Sequence, residues 1–411
     1  MTLSILQVNS SDAGGGAEAV ALALHRAYRA RGLDASFAVG CARTGEEGVI
    51  PIGSARSRRS RALRDPRVAL DLARGREDFR FPASHGVLDL PHRAPEIVHL
   101  HNLHGAYFDL RVLPALSAQV PAVATLHDPW LLTGHCAHPF DCDGWTRGCG
   151  HCPYLATYPA LRRDGTAANL ERKRQLYSQA TLSVVTPSAW LMEMVDHSIL
   201  APAASLRRVI PNGVDLAVFA PGDHEDARAT LDLPREAHVL VFAAPGARTN
   251  PFKDFATLEA ALTLLGASDG PDVIAITLGE AGDEVRLGRV MLRSLPFTGR
   301  EEVATYLRAA DLYVHATLAD NHPLAVLEAL ASGVPVVASR VGGIREQIRE
   351  ETGVLVDPGE AEALARAIVD LLDDPERRGR MGEAAAADAR VRFDLERQVE
   401  AYLDLYRELM C

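Results

Sequence analysis

Two acidic residues in the last third of the chain have the types and the spacing of a ligand-binding pair. Asp320 and Glu328 are separated by seven residues. Pro323 suits the first position of a helix and Asn321 or His322 its cap, so free backbone N–H groups are expected beside Asp320. Glu328 would lie in an apolar helical stretch, where a carboxylate is costly unless it accepts hydrogen bonds. Sugar hydroxyl groups would supply such bonds, so the pair predicts a site for a hydroxylated ligand.

A glycine cluster near the amino terminus could bind an anion. Gly14, Gly15 and Gly16 follow a predicted strand and open a predicted helix. Backbone N–H groups and the helix dipole would converge there, which favours phosphate. The pattern is not the G-x-G-x-x-G fingerprint of dinucleotide-binding folds, and it lacks the lysine of a P-loop. A flexible turn without a ligand is the alternative interpretation.

Four cysteines within seventeen residues could hold a metal ion. Cys136, Cys142, Cys149 and Cys152 are separated by five, six and two residues. In a reducing compartment four such thiols suggest a tetrahedral zinc site that orders the segment 135–153. Only one C-x-x-C pair is present, so an iron–sulfur cluster, reversible disulfides and free thiols are alternatives. A metal here would have a structural or acceptor-shaping role.

The elements that must position these residues are those of an α/β protein. Short apolar runs alternate with longer amphipathic stretches, the pattern of parallel strands joined by crossover helices. Two series of strands predict two doubly wound domains that join near residues 211–215. The predicted strands are 3–8, 37–39, 97–100, 123–126, 182–185 and 208–210, and then 239–243, 273–278, 295–297, 312–314 and 334–338. The predicted helices include 17–30, 257–265 and 301–309, and the chain is expected to be helical from 361 onward, with a last helix over 393–409.

Length and charge exclude several classes of protein. With 411 residues, 47% of them hydrophobic and 24% charged, the chain has the composition of a globular protein of two to three domains. Its net charge of −11 argues against nucleic acid as a partner. The first nine residues do not resemble a signal peptide, and eighteen apolar residues never run uninterrupted, so a cytoplasmic protein is expected. The basic amphipathic segment 56–80 would suit a peripheral contact with the inner membrane face, and a solvated surface is the alternative.

The segment that contains Asp320 and Glu328 resembles that of the family 4 glycosyltransferases, and the resemblance covers nearly the whole chain. It implies the GT-B fold, in which two Rossmann-like domains face a central cleft, and a reaction that requires no cofactor. In that family the second acid binds the ribose hydroxyls of the donor and the first contacts the donor sugar. The resemblance also places Asn321, His322 and Leu324 in the donor site. The chain departs from the commoner pattern by having Asp at the first acidic position, where Glu is usual, and Asn-His-Pro where many members have Phe-Gly.

The same resemblance implies a role for two cations. Arg248 and Lys253, in the loop 246–254 after the first strand of the second domain, look like the family's pair that neutralises the donor diphosphate. Fixed cations would stabilise the charge that develops on a departing diphosphate. Lys253 is unusual here, because it and Lys173 are the only lysines among 43 cationic residues. An exposed loop with two solvated cations is the alternative.

Histidines cluster by predicted strand ends in the first half of the chain. His127 looks like a histidine that the family often has near the reacting sugar, and the resemblance implies an orienting or hydrogen-bonding role for it. His99, His101 and His104 would line the acceptor side or simply pack in the core.

The resemblance therefore implies a retaining glycosyltransferase. It would transfer a hexose from a UDP- or GDP-sugar to a glycan, lipid-linked or other glycoconjugate acceptor in polysaccharide synthesis. Residues 1–214 would form the acceptor-side domain, 215–392 the donor-binding domain, and 393–411 a helix that crosses back to the first domain. The alternatives are a sugar-nucleotide epimerase, a glycosyl phosphorylase on the same scaffold, and a non-catalytic protein that binds nucleotide sugars.

Overall fold

The protein is described by a computed structural model for residues 2–53, 65–244, 246 and 248–411. The chain divides into two compact units. The first unit comprises Met1–Ile210 and Val399–Cys411, and the second comprises Pro211–Gln398. Each unit contains a seven-stranded sheet with helices between most successive strands, so the predicted class of two Rossmann-like α/β units is confirmed.

The sheet of the first unit is parallel and has the strand order β3-β2-β1-β4-β5-β6-β7. Its strands are β1 Ser4–Ser11, β2 Asp34–Cys41, β3 Val49–Pro51, β4 Ile97–Leu100, β5 Ala122–Thr125, β6 Leu182–Thr186 and β7 Ala204–Val209. Its α-helices are α1 Gly16–Ala30, α2 Pro66–Ala73, α3 Leu113–Ser117, α4 Gly144–Arg147, α5 Thr166–Tyr177 and α6 Ala189–Asp196. Short 3-10 helices cover Pro82–Asp89, Leu110–Val112, Pro129–Leu132 and Ala201–Ala203.

The sheet of the second unit has the strand order β10-β11-β9-β8-β12-β13-β14 and is parallel except for the pairing of β10 with β11. Its strands are β8 His238–Ala243, β9 Val273–Leu278, β10 Val285–Leu287, β11 Val290–Leu295, β12 Leu312–His315, β13 Val336–Ser339 and β14 Gly353–Val356. The helices are α7 His224–Thr230, α8 Phe255–Ala267, α9 Arg300–Ala309, α10 Leu324–Ala331, α11 Ile344–Gln347, α12 Ala361–Leu372 and α13 Pro375–Arg392. The last helix, α14 Leu395–Leu409, begins in the second unit and ends in the first.

Both faces of the second sheet are buried. Along β8, Val239 and Val241 belong to one hydrophobic core, whereas Leu240 and Phe242 belong to another. Successive side chains of a strand point to opposite faces, so a central strand covered by helices on both sides needs a continuous apolar run. This requirement explains why such runs located the central strands correctly.

Strand predictions failed where the apolar run was short or interrupted. The strand predicted at 295–297 is β11, which spans Val290–Leu295 and alternates buried and half-buried residues around Arg293 and Ser294. The edge strands β3, β10 and β14 were not predicted, because each is short and most of its residues are half-buried or exposed, so none contains a buried apolar run.

The start of α10 is also corrected. Pro323 was expected at the first helical position, but its ψ of 130° is extended and the helix begins at Leu324. The proline ring fixes φ and leaves ψ free, so Pro323 can adopt the extended conformation of an N-cap residue.

Candidate active site

The second sheet reverses its strand order between β8 and β12. Lys253 lies in the loop after β8, and Asp320 lies in the loop after β12. In open α/β sheets, ligands bind at the carboxyl ends of the strands that flank such a reversal. The topology therefore brings both residues to the ligand-binding edge of this sheet.

Backbone contacts hold these two loops together. The carbonyl oxygen of Phe252 accepts hydrogen bonds from the Thr317 hydroxyl at 2.6 Å and from the Leu318 N–H at 2.9 Å. Lys253 and Thr317 also form an isolated antiparallel bridge. The relative position of Lys253 and Asp320 is thus fixed by main chain, which preorganises the pair.

Lys253 and Asp320 form an ion pair. Nζ of Lys253 lies 2.5 Å from Oδ2 of Asp320, and the two side chains are only 13% and 20% exposed. Nε2 of His315 lies 3.4 Å from the same oxygen. Nδ1 of His315 lies 3.2 Å from the Tyr313 hydroxyl, and both of these β12 residues are buried. A continuous chain of polar contacts therefore runs from the ammonium to a tyrosine inside the sheet.

The surrounding charges keep Asp320 ionised. Burial alone would raise its pKa, but the Lys253 ammonium and hydrogen bonds from His315 and Lys253 hold the pKa well below the usual range of a carboxyl. Burial and the positive charge of Lys253 lower the pKa of His315, so its imidazole is neutral at pH 7. A neutral ring that donates Nε2–H to Asp320 has Nδ1 free to accept a hydrogen bond from the Tyr313 hydroxyl.

A second group of side chains fixes the loop that leads into α10. Nε2 of Gln347 lies 3.2 Å from Nδ1 of His322 and donates to the Pro323 carbonyl at 3.1 Å. The Asn212 amide donates to the His322 carbonyl at 2.9 Å. Burial lowers the pKa of His322 to about 3, so its imidazole is neutral at pH 7. With the ring proton on Nε2, Nδ1 accepts a hydrogen bond from the Gln347 amide. His322 is thus a structural anchor of this loop.

The first turn of α10 offers backbone donors. In the described structure no side chain caps it, and Pro323 at the N-cap has no N–H. The N–H groups of the first helical residues, beginning with Leu324, have no partner within the helix. The N–H of Asn321 is already used, because it donates to Oδ1 of Asp320 at 2.9 Å. Anion binding here would therefore depend on the helix itself.

Glu328 lies one turn further along α10 and is half-buried. Within the part of the chain that the structure describes, its carboxylate has no hydrogen bond or ion pair. Burial raises the pKa of Glu328 to about 7, although the charge of Arg300 opposes the shift. Keeping a half-buried carboxyl group unpaired is costly, and a ligand hydroxyl would relieve that cost.

Arg248 lies on the other side of β8. Its Nη1 contacts the Ser294 hydroxyl, at the end of β11, at 3.1 Å, and its guanidinium stacks 4.5 Å from the ring centroid of Phe255. The two predicted cations therefore flank the end of β8, with Lys253 towards β12 and Arg248 towards β11. Both lie along one sheet edge, but only Lys253 contacts an acidic residue of the predicted site.

His127 lies in the first unit, just beyond β5, and is half-buried beside the buried residues His99 and His101. Its Nε2 is 3.0 Å from Nδ1 of His101, whose Nε2 is 3.2 Å from the Gln7 amide nitrogen. His99 contacts the Thr125 hydroxyl at 2.7 Å. Burial lowers the pKa of His127 to about 4 and that of His99 to about 3, so both rings are neutral at pH 7. Such rings can orient a ligand by hydrogen bonding, whereas His99 and His101 are fully occupied in the core.

Comparison with known proteins identifies the family. Residues 14–218 match the family model described as Glycosyltransferase Family 4, and residues 284–388 match the model described as Glycosyl transferases group 1. The chain belongs to the family 4 glycosyltransferases. The first match covers most of the first unit and extends a few residues into the second, and the other match lies within the second unit.

Individual relatives agree with this assignment. The colanic acid biosynthesis glycosyl transferase candidate WcaC of Escherichia coli K12 is 27% identical over 99% of this chain and 100% of its own length. A D-inositol 3-phosphate glycosyltransferase of Saccharomonospora viridis is 32% identical over 58% of each chain. The crystal structure of HepE from Anabaena in complex with UDP-glucose matches 99% of this chain and 100% of that one, with a TM-score of 0.67 and 22% identity. The glycosyltransferase thus has the GT-B fold.

The glycine cluster of the glycosyltransferase is partly occupied by the protein's own acid. The Gly15 N–H donates to Oε2 of Glu18 at 3.0 Å, and the Ser10 hydroxyl donates to Oε1 at 2.7 Å. A carboxylate at this place repels phosphate. These contacts weaken the assignment of Gly14, Gly15 and Gly16 to the donor.

The cysteine-rich segment contains free thiols. Burial raises the pKa of Cys136 to about 12, and Nε2 of His135 lies 3.3 Å from Sγ of Cys152. Across the described ranges, no group of three or more His, Cys, Asp or Glu side chains is placed to hold a metal ion. The zinc site predicted from Cys136, Cys142, Cys149 and Cys152 therefore has no support in the structure.

Lys173 anchors the turn that leads into this segment. Its buried Nζ lies 3.3 Å from Oε2 of Glu77 and donates to the carbonyls of Trp130 at 2.8 Å and Thr133 at 3.0 Å. It also lies 3.7 Å from the Trp130 ring centroid. Lysine is rare in this chain, which made position 173 noticeable in the sequence. The structure explains the choice of lysine there, because a compact ammonium fits between two backbone carbonyl groups.

The basic segment 56–80 is only partly described, since 56–64 lie outside the described residues. In the rest, Val68 and Asp71 of α2 are buried and Asp71 pairs with Arg80. This part packs on its own unit and gives no support for a membrane contact. Among the helices that the structure describes, none combines the length and the apolar character needed to cross a membrane.

Sequence reasoning missed three polar residues of the second unit. All three, Tyr313, His315 and Gln347, are buried. Tyr313 contacts His315, and His315 contacts Asp320. Gln347 contacts His322, which lies 25 positions earlier in the chain. A histidine at the last position of β12 was a usable signal, because the same reasoning singled out His127 after β5. Gln347 gave no signal in the sequence.

Proposed function

We propose that this glycosyltransferase transfers a hexose from a nucleotide diphosphate sugar to a hydroxyl group of a glycan or lipid-linked acceptor, with retention of anomeric configuration. The observation that carries the proposal is the Lys253–Asp320 ion pair at the strand-order reversal of the second sheet, next to the uncapped start of α10. The ammonium and the helix N–H groups suit a diphosphate, and the carboxylate suits a sugar hydroxyl.

The relatives support the substrate class. HepE binds UDP-glucose, which favours a UDP-sugar over a GDP-sugar as the donor. WcaC is named for colanic acid biosynthesis and aligns along the whole chain, which favours an acceptor in polysaccharide synthesis.

The proposed roles are divided between the predicted domains, 1–214 and 215–392. In the second, Lys253 and Arg248 neutralise the diphosphate, Asp320 accepts a hydroxyl of the donor sugar, and Glu328 binds the ribose diol. The pKa of Glu328 near 7 suits that task, because a carboxyl group near its pKa both donates to and accepts from hydroxyls. The first domain, with His127, holds the acceptor.

The proposed reaction needs no covalent intermediate. The bond between the anomeric carbon and the β-phosphate oxygen breaks, and both electrons pass to the phosphate. The acceptor oxygen bonds to the anomeric carbon on the same face, and its proton passes to the departing phosphate oxygen. His127 then orients the reactants by a hydrogen bond, in agreement with the low pKa that burial gives it.

Product analysis tests the proposal and its alternatives. The purified protein is incubated with UDP- and GDP-hexoses, with and without glycan acceptors and inorganic phosphate. A glycosyltransferase forms glycoside and nucleoside diphosphate only when acceptor is present. An epimerase would form a new sugar nucleotide without acceptor, a phosphorylase would require phosphate, and a non-catalytic protein would give binding without product.

If the acceptor is lipid-linked, the segment 56–80 would face the membrane, and co-sedimentation with anionic vesicles tests that contact.

A further inference from the structure

The two groups proposed to bind opposite ends of the donor neutralise each other in the structure. The 2.5 Å contact between Nζ of Lys253 and Oδ2 of Asp320 is largely shielded from solvent. A diphosphate can gain the full attraction of the ammonium only by replacing Asp320 as its partner. Donor binding therefore competes with an internal ion pair.

The Asp320 carboxylate is held by more contacts than the Lys253 ammonium. Asp320 has two contacts besides Lys253, since Oδ1 accepts the Asn321 N–H at 2.9 Å and Oδ2 lies 3.4 Å from Nε2 of His315. Lys253 is anchored through its backbone, by the bridge to Thr317, whereas its four-carbon side chain can rotate. The ammonium can thus move without displacing the carboxylate.

We propose that Lys253 changes partners when the donor binds. The ammonium leaves Asp320 for the diphosphate, and Asp320, kept in place by His315 and Asn321, accepts a sugar hydroxyl instead. The exchange couples the two ends of the donor, because phosphate binding releases the carboxylate that the sugar requires. His315 is a positioning residue in this scheme. The inference rests on the proposed function.

A double-mutant cycle isolates the exchange. The affinities of UDP and GDP, which lack the sugar that Asp320 would contact, are measured by calorimetry for the wild type, Asp320→Asn, Lys253→Met and the double variant. Asp320→Asn should bind the preferred diphosphate about threefold to tenfold more tightly, because Lys253 is no longer neutralised. The gain should disappear when residue 253 is Met.

The control is Asp269→Asn, which removes the same charge from an exposed turn before β9. Its diphosphate affinity should stay within about twofold of wild type. The exchange is overturned if Asp320→Asn binds the diphosphate no more tightly, or if its gain persists with Met at 253, because the cause would then be simple repulsion between carboxylate and phosphate. Asp320→Ala, checked for folding by circular dichroism, should repeat the result of Asp320→Asn.

His315 is tested by a different pair of readouts. His315→Phe should lower kcat at least about tenfold while diphosphate affinity stays within about twofold, and His315→Gln, which keeps a donor, should recover part of the rate. A parallel loss of affinity and rate in both variants would overturn the positioning role. A wild-type protein that transfers sugar but shows no exchange overturns this inference alone, whereas a wild type that neither binds a diphosphate nor transfers sugar overturns the proposed function as well.

Discussion

The side-chain amide of Gln347 lies 3.2 Å from Nδ1 of His322, a residue 25 positions earlier in the chain. The same amide donates to the carbonyl of Pro323, and Gln347 itself is completely buried. The end of α11 thereby holds the loop that orients the first turn of α10. The proposed donor site would depend on this loop for the direction of its backbone N–H groups.

Replacing Gln347 by Met should therefore weaken donor binding. The variant keeps the volume and loses both hydrogen bonds, and we expect the KM for the donor to rise roughly fivefold to thirtyfold. The matched control is Asn169→Leu, which removes a buried amide of the first unit that accepts from the Glu77 N–H and donates to the Gly75 carbonyl. The control should lower the melting temperature without changing the donor KM. Equal effects of both variants on KM would contradict the positioning role of Gln347.

Glu328 should make the protein less stable at higher pH. Its pKa is about 7 in the folded state against an ordinary value of 4.5, because burial disfavours the charged form. The folded protein therefore binds more protons than the unfolded chain between these values, so the stability contribution is complete below pH 4.5 and is lost as the pH rises through 7.

Glu328→Gln removes that pH dependence. Urea unfolding should show the variant gaining stability over wild type between pH 5 and pH 8, by on the order of 1 kcal/mol, while donor turnover falls at least about tenfold. If the free energies of unfolding of Glu328→Gln and wild type differ by the same amount at pH 5 and pH 8, burial does not raise the pKa of Glu328. Unchanged turnover would remove Glu328 from the proposed site.

Lys173 should matter for stability rather than for donor binding. Lys173→Met leaves the buried Glu77 carboxylate and two carbonyl groups without their partner, and removal of one member of a buried ion pair costs about 3 kcal/mol or more. Urea unfolding should report that loss, and thiols of the segment 135–153 should react faster with a thiol reagent. The exposed neighbour Arg174→Met is the control and should change stability by less than about 1 kcal/mol. A stable Lys173→Met protein would contradict the anchoring role.

The sequence was sufficient to predict the fold class, because both sheets are built from strands buried on two faces. The strands 97–100 and 273–278 were predicted with their observed bounds. Strand β11 was misplaced because its apolar positions alternate with Arg293 and Ser294, and short edge strands lack a clear signal. The pattern of apolar residues indicates which side chains are buried, and it predicts strand bounds less accurately where only one face of the strand is buried.

The candidate site was only partly predictable. Lys253 and Asp320 were recognised from motifs that follow strands, but their pairing depends on which strands become neighbours, and this is a property of the whole sheet. The contact between Glu18 and Gly15 was missed, although the acid stands three residues after the glycine. Zinc was predicted from the cysteine spacing and an expected reducing compartment, and neither determines how the four side chains are directed.

The central claim is that the second unit binds a nucleotide diphosphate sugar through Lys253. The most direct test is calorimetric titration of the active donor into the wild type, Lys253→Met and the control Arg366→Met, whose exposed arginine lies on α12. We predict that Lys253→Met binds the donor at least about tenfold more weakly, a loss of about 1.4 kcal/mol, and that Arg366→Met stays within about twofold of wild type. Donor affinity of Lys253→Met equal to that of the wild type would contradict the account.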